Sequence, residues 1–314
     1  MIIYMIFGHV ISWCSLNDSL FYIWLDRLLF YFMPWFFFKS GMFYKLRHIK
    51  EVVNRNSRLL KCFVIFGLIG LFTYYCRNYD NLSVNTIIKQ PVVTLLLSGT
   101  FCGNTALWFL LTLFLVKCLY SLLDLKLNHR AVLLIALILT IGILSFKTRL
   151  DLKYPEYMYN LMAGLLFYSA GVELKEYQFN KVVLYVAVIV FGAIYIMMPS
   201  RVDFQHTWLI EGSALLWPFA SCAGIIIVNN VAKKTCCETC WMNRLLAYVG
   251  KNSMPFYVTH ILVGNVAFII MKVSGFINMV GGWSLFAVYA GVLLISLPLI
   301  GKLFRTEYGL KLIR

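Results

Sequence analysis

Residues 131–146 read AVLLIALILTIGILSF, an uninterrupted apolar run with Arg130 before it and Lys147 after it. An α-helix rises about 1.5 Å per residue, so roughly 20 mostly apolar residues cross the hydrocarbon core of a bilayer. The run and its basic flanks are therefore typical of a helix that spans a membrane. Similar runs, separated by short polar joints, follow one another along the chain.

The composition excludes a soluble globular protein. Hydrophobic residues make up 61% of the 314 residues and charged residues only 13%, whereas soluble domains carry about 25% charged residues. The formal net charge of +15 raises the question of nucleic-acid binding, but the basic residues lie in the joints between apolar runs. That distribution indicates an integral protein of a lipid bilayer, and no nucleic-acid partner is expected.

Ten apolar runs predict an all-α membrane protein with about ten transmembrane helices. No fixed-period repeat or low-complexity linker divides the sequence, so residues 1–314 are predicted to form one integral-membrane domain. The predicted spans are residues 1–14, 25–44, 59–75, 105–122, 131–147, 157–174, 182–199, 208–228, 253–272 and 283–301.

The basic residues also predict an orientation. Most of the 28 Lys and Arg residues lie in alternate joints, of which joint 45–61 is the most basic internal one. Because cytoplasmic loops are enriched in Lys and Arg, these joints and both termini are predicted to be cytoplasmic. The long joint 76–104 is then predicted to lie outside, and residues 241–248 to form an amphipathic helix in the membrane interface.

The first apolar run is short. Residues 1–13 reach about 20 Å as a helix, against a hydrocarbon core of about 30 Å. We expect the first helix to be truncated, with the natural chain starting further upstream, in which case the protein as written is expected to be inactive. A short, half-inserted helix is the alternative.

Two histidines lie inside predicted spans, where ionisable residues are costly and often functional. His9 is near the outer end of the first span, and His260 follows Ser253 by about 10 Å of helical rise. An imidazole can act as a general base near neutral pH, although either residue could simply bond a neighbouring helix. The other histidines, His48, His129 and His206, lie in joints and support no inference.

Each charged residue near the end of a span allows two interpretations. Lys39 could extend its ammonium to the interface or present it to a phosphate. Glu211, near the outer start of the eighth span, could accept a proton or bind a sugar hydroxyl, or it could be hydrated. Asp26 and Arg27 could orient a histidine, or form an ion pair at the membrane rim.

Two local patterns are more specific. In residues 33–44, MPWFFFKSGMFY, the pair Ser40-Gly41 permits close approach of a helix or ligand. Arg55 and Arg58 share one side of a predicted helix start and suit phosphate groups, although they would also serve as a cytoplasmic anchor. Among nine cysteines, Cys236, Cys237 and Cys240 contain a single CxxC. Alone it is a weak zinc signal, so no metal is expected.

These features occur together with three further motifs: LWFL at residues 107–110, LAYVGKNS at 246–253 and YVTH at 257–260. In this order, and over nearly the whole chain, they resemble the membrane-bound acyltransferase 3 family, bacterial inner-membrane enzymes that O-acylate sugars. The sequence departs from that pattern at Phe32, where relatives often have a histidine. The basic residue that relatives carry eleven positions before their histidine would here precede Met1.

The resemblance implies an acyl donor, usually acetyl-CoA, supplied from the cytoplasm, and a hydroxyl acceptor on a glycan or lipid-linked saccharide. It implies that His9 is catalytic, as a general base or a transient acyl carrier, and that Arg55 and Arg58 bind the donor phosphates. Lys39 is predicted to join them. The residues predicted to bind substrate are Ser40, Trp108, Glu211 and His260.

A transporter or flippase of an amphipathic or lipid-linked solute is the competing function, because many helices with intramembrane Lys and His suit it. Transporters of this size often contain inverted repeats with paired broken helices, and no matching halves occur here. A sensory or scaffold protein is compatible with the composition but is not indicated by any motif.

Overall fold

The computed structural model describes residues 1–81, 83–150, 155–177, 180–235, 240–276, 281–306 and 309. The described chain is almost entirely helical, with one small antiparallel hairpin. The helices are α1 Ile2–Trp13, α2 Leu20–Leu29, α3 Phe32–Met42, α4 Ile49–Arg77, α5 Gln90–Val93, α6 Trp108–Asp124, α7 His129–Leu150, α8 Glu156–Glu173, α9 Lys181–Met197, α10 Leu216–Thr235, α11 Trp241–Lys251, α12 Ser253–Val273 and α13 Gly282–Leu303. The strands are β1 Arg201–Asp203 and β2 Trp208–Glu211.

Seven of the described helical segments are long and apolar enough to cross a membrane. They are Leu20–Met42, Ile49–Arg77, Thr105–Asp124, His129–Lys147, Leu216–Thr235, Ser253–Val273 and Gly282–Leu303. Helices α1 and α9 are apolar but shorter. The all-α membrane class is therefore confirmed, and each of the ten predicted spans contains a helix, but the count of ten spans stays a prediction.

The predicted eighth span, residues 208–228, is wrong at its start. Residues Trp208–Glu211 form β2, which pairs with β1, and helix α10 begins only at Leu216. Gly212 adopts a positive φ of 84°, a conformation that glycine favours and that interrupts regular structure. Glu211 therefore lies at the end of a strand and not near the start of a helix.

The chain divides into two compact units. The first comprises Met1–Ile23, Ser57–Leu111 and Glu238–Arg314, and the second comprises Trp24–Asn56 and Thr112–Cys237. In the first unit α12 is the central helix, with twelve buried positions that include His260 and Asn265. One face packs against α1 and α13, and another contacts α4 and the segment that leads into α6.

In the second unit α3 and α8 pack so closely that their backbones touch. A Cβ atom at Gly41 would collide with the Tyr168 carbonyl oxygen, and one at Gly171 would collide with the Phe38 carbonyl oxygen. Small residues permit this approach where helices associate without a hydrophobic driving force between them. The sequence predicted close approach at Ser40-Gly41, and the neighbour that approaches is a helix.

Residues that were predicted on the same side of the membrane contact one another within each unit. In the second unit Asp26 pairs with Arg201 at 2.9 Å, and Tyr44 donates to Asp124 at 2.7 Å. In the first unit Lys272 pairs with Asp80 at 2.5 Å. This grouping agrees with the predicted alternation of the joints, while the absolute orientation stays a prediction.

Cysteine labelling tests the orientation. In a variant without its natural cysteines, Asn85→Cys should react with a membrane-impermeant maleimide in intact cells, and Asn54→Cys should react only after lysis. Both positions are exposed, so reactivity depends on the side of the membrane. Labelling of position 54 and protection of position 85 in intact cells would reverse the topology.

Candidate active site

The first unit brings together the two histidines predicted from the sequence. The imidazoles of His9 on α1 and His260 on α12 have their centroids 5.1 Å apart. Trp13, one turn after His9, stacks on its ring at 6.3 Å. A Cβ atom at Gly264, one turn after His260, would collide with the Trp13 indole, so glycine makes room for α1 at this crossing.

His260 is fully buried, and its hydrogen bonds define which nitrogen carries the proton. Its Nδ1 lies 2.7 Å from the Tyr257 carbonyl oxygen and 3.2 Å from that of Phe256. A carbonyl oxygen can only accept, so Nδ1 donates, and a neutral ring then has its lone pair on Nε2. Nε2 is buried and has no hydrogen-bond partner among the residues that the structure describes. This acceptor next to His9 is suited to a hydroxyl group.

The histidine pair lies nearer to one end of α12. By helical rise His260 is about 10 Å from Ser253 and about 20 Å from Val273. The Ser253 end is the one predicted to be cytoplasmic. The sequence predicted that His9 lies in the outer half of its span. In the structure it lies next to His260, which is closer to the end of α12 that is predicted to be cytoplasmic.

A polar segment before α6 was missed by the sequence analysis. Asn104 is fully buried, and its Nδ2 donates to the carbonyl oxygens of Val258 at 3.0 Å and Phe66 at 3.4 Å. Asn265 donates to the Gly103 carbonyl oxygen at 2.6 Å and to Thr73 Oγ1 at 3.2 Å. Non-helical backbone among apolar helices requires such internal partners.

The segment also provides a second unsatisfied acceptor, because Asn104 Oδ1 is buried and has no partner in the part of the chain that the structure describes. The signal that could have revealed it is the polar sequence CGNT at residues 102–105, which only Ala106 separates from the LWFL motif. Asn104 and His260 are held by α12 through carbonyl oxygens of that same helix.

Trp108 is buried in the first unit, and its ring packs against Phe109 with centroids 6.2 Å apart. Phe109 packs against Tyr257, whose ring lies 6.1 Å from that of His260. The Tyr257 hydroxyl donates to the Ala106 carbonyl oxygen. Trp108 is therefore linked to the histidines through two intervening rings, those of Phe109 and Tyr257.

Arg55 and Arg58 both lie in α4, three residues apart, and both are exposed. The helix confirms the spacing on which the prediction relied. Arg55 Nε binds Glu51 Oε1 at 2.9 Å, and Arg47 binds the same carboxylate oxygen. A phosphate that binds Arg55 would therefore either share the guanidinium with the Glu51 carboxylate or displace that carboxylate.

Lys39 and Ser40 lie in α3 of the second unit. Lys39 Nζ lies 3.7 Å from Met42 Sδ and 5.9 Å from the centroid of the Trp35 ring. Both residues are partly buried.

Glu211 is held in a network of ion pairs. Its carboxylate binds Arg27 at 2.8 Å and Arg201 at 3.4 Å, and Arg201 also binds Asp26. Both oxygens of this carboxylate are therefore engaged by guanidinium groups. The structure thus supports the rim ion pair that the sequence left open for Asp26 and Arg27.

The turn of the β-hairpin contains a histidine–carboxylate pair in which His206 Nδ1 lies 2.6 Å from Asp203 Oδ2. This hydrogen bond raises the pKa of His206 against the effect of burial. Burial alone would raise the pKa of Asp203, but its bonds to His206 lower it below the usual value. At pH values between the lowered pKa of Asp203 and the raised pKa of His206, this ion pair stabilises the hairpin. The stabilisation is lost as the pH rises through the pKa of His206, where the imidazolium loses its proton. It is also lost as the pH falls through the pKa of Asp203, where the carboxylate gains one.

No group of three His, Cys, Asp or Glu side chains is arranged to hold a metal ion among the residues that the structure describes. Cys240 is exposed and free. Cys236 and Cys237, which complete the CxxC considered from the sequence, lie outside the described residues.

A comparison with known families agrees with the resemblance seen in the sequence. A family model described as an acyltransferase domain matches residues 1–301. The helices and this match define a multi-pass membrane protein with an acyltransferase domain. The chain belongs to the acyltransferase 3 family. No curated protein and no solved structure matches it significantly.

The buried asparagine is open to a stability test. Asn104→Ala removes two hydrogen bonds and should lower the free energy of unfolding by about 1–3 kcal/mol, since each contributes about 0.5–1.5 kcal/mol. Asn104→Asp should be worse, because an ionised carboxylate has no proton to donate to the two carbonyl oxygens. Thermal unfolding of the purified protein in detergent measures both, with the exposed Asn85→Ala as control. Equal melting temperatures for the Asn104 and Asn85 variants would contradict this role.

Proposed function

We propose that this protein transfers an acyl group, in particular acetyl, from acyl-CoA to a hydroxyl of a cell-surface glycan or lipid-linked saccharide. The location proposed is the inner membrane of a bacterium, with the donor entering from the cytoplasm. Membership of the acyltransferase 3 family supports the reaction class. The single observation that carries the residue assignment is His9 next to the buried His260, whose Nε2 is left without a partner in the described chain.

The proposed chemistry uses His9 as the general base. Its imidazole removes the proton of the acceptor hydroxyl, and the oxygen attacks the thioester carbonyl. The carbon–sulfur bond then breaks, and the imidazolium returns the proton to the departing thiolate. The products are an ester on the acceptor and free CoA. His260 Nε2 accepts a hydrogen bond from the acceptor and orients it.

Arg55 and Arg58 are proposed to bind phosphates of the donor, together with Lys39. Guanidinium groups form paired hydrogen bonds with phosphate oxygens. Both arginines are exposed, so a donor arriving from water can reach them. Ser40, which lies beside the close contact of Gly41 with α8, and Glu211, which binds two arginines, are proposed to contact the acceptor together with Trp108.

A transporter or flippase remains the competing function. Its substrate would be an amphipathic or lipid-linked solute, and it would require no acyl-CoA. Dependence of the modified glycan on acyl-CoA therefore separates the two functions in the same assay that tests the residues.

His9→Ala should abolish acylation, with a loss of about 10²–10⁴-fold, which is the usual contribution of a general base. Mass spectrometry of the glycan from cells that produce the variant measures the product, and immunoblotting of membranes measures the protein. His48→Ala is the matched control, because His48 lies just before α4 and outside the proposed site. Wild-type acylation by an abundant His9→Ala variant would remove His9 from the mechanism.

The double change Arg55→Lys and Arg58→Lys should preserve topology and abundance but raise KM for acyl-CoA. Lysine keeps the charge that an anchor needs, whereas it lacks the paired donors that bind a phosphate from two sides. The expected increase is about tenfold or more, because hydrogen bonds to charged groups contribute about 1.5–3 kcal/mol. Arg47→Lys, on the same joint, is the control. If the double Lys variant and Arg47→Lys have the same KM for acyl-CoA, Arg55 and Arg58 serve only as a cytoplasmic anchor.

A further inference from the structure

Helices α3 and α10 of the second unit meet along a row of paired residues. A Cβ atom at Gly224 would collide with the Tyr31 ring. Four residues further along α3 and five further along α10, Trp35 Nε1 donates to Asn229 Oδ1 at 3.3 Å. Another turn further are Lys39 on α3 and Lys233 on α10. The helices therefore run parallel here, and the two lysines follow the Trp35–Asn229 contact on the same side.

Asn229 leaves a buried donor at this contact. An indole N–H can only donate, so the oxygen of the amide faces Trp35 and the NH2 group is left over. Asn229 is 8% exposed, and its Nδ2 has no hydrogen-bond partner in the described part of the chain. A buried amide without a partner is costly and requires an explanation.

The two lysines have no carboxylate partner in the part of the chain that the structure describes. Neither Lys39 nor Lys233 forms an ion pair with a carboxylate of the described residues, and their ammonium groups repel each other. Lys39 is only partly exposed, whereas Lys233 is exposed. Like charges on adjoining helices destabilise the contact unless an anion lies near them.

We propose that Lys39, Lys233 and Asn229 form a binding site for a phosphate group of the acyl-CoA donor, a proposal that rests on the proposed function. All three offer hydrogen-bond donors, and a phosphate offers only acceptors and negative charge. Lys233 lies in a joint predicted to be cytoplasmic, where the donor would arrive. Asn229 is buried beneath the lysines, so the ligand inserts beside the helices and does not merely rest on the membrane surface as a lipid headgroup would.

The chain contains its own matched controls. Lys234 follows Lys233, and Asn230 follows Asn229, each rotated about 100° around α10. Asn230 is satisfied, since its Nδ2 donates to the Ile226 carbonyl oxygen at 2.9 Å. Substitutions of Lys234 and Asn230 therefore show whether an effect at Lys233 or Asn229 is specific to the proposed site or results from lost charge or lost helix stability.

The experiment measures equilibrium binding of radiolabelled CoA to the full chain in phosphatidylcholine nanodiscs. Lys233→Ala and Asn229→Ala should each weaken CoA binding about tenfold, the lower limit for a charge-assisted hydrogen bond. Lys234→Ala and Asn230→Ala should change it less than twofold. Acetyl transfer by Lys233→Ala should show a raised KM for acetyl-CoA with kcat retained.

Equal weakening by Lys233→Ala and Lys234→Ala would overturn the site in favour of general surface charge. A second arm adds phosphatidylglycerol to the nanodiscs and measures lipid retention by native mass spectrometry. Loss of phosphatidylglycerol in Lys233→Ala without loss of CoA would overturn the donor assignment and identify a lipid headgroup. If wild type transfers acetyl from acetyl-CoA and Lys233→Ala is unaffected, this site alone is refuted. If wild type neither binds nor uses acetyl-CoA, the proposed function fails and this site fails with it.

Discussion

A polar group among apolar helices must find its partner inside the protein, because hydrocarbon offers no water to hydrogen-bond. Helix α12 is where this constraint acts most strongly in the first unit. Its carbonyl oxygens accept from Asn104 on one side and from His260 itself, and its Asn265 donates to Gly103 and Thr73. The non-helical segment before α6 can lie against apolar helices because these bonds satisfy it.

The atoms that remain unsatisfied after this arrangement are informative, but not all equally. Thr140 Oγ1 and Ser221 Oγ are also buried without a partner in the described chain, yet a hydroxyl can rotate towards a carbonyl of its own helix. The lone pair of His260 Nε2 has no such choice, because Nδ1 is already committed to Tyr257. The amide of Asn229 is likewise fixed by Trp35. Fixed and unsatisfied groups are therefore the better indicators of ligands.

The sequence predicted features that depend on local pattern. Apolar runs identified a helix in every predicted span, and Arg55 and Arg58 do share a helix. Sequence patterns did not predict the structure where contacts between residues far apart in the chain determine it. Asn104 is buried by residues such as Val258, far away in the chain, and no local periodicity reports that. Trp208–Glu211 looked like the start of a helix because it is apolar, whereas its pairing with Arg201–Asp203 and the positive φ of Gly212 make it a strand.

Charge in the second unit shows why an ionisable residue alone does not identify a site. Around the hairpin, the charges of Asp26, Arg27, Arg201 and Glu211 are paired, so the carboxylate of Glu211 is already occupied by two guanidinium groups. Lys39 and Lys233 on α3 and α10 have no such compensation among the described residues. An excess of lysine in cytoplasmic joints explains Lys233 by itself. It does not explain a half-buried Lys39 beside it, or a buried amide donor one turn below. Those two features are the observations on which the proposed phosphate site rests, and the donor of the proposed reaction would supply the anion.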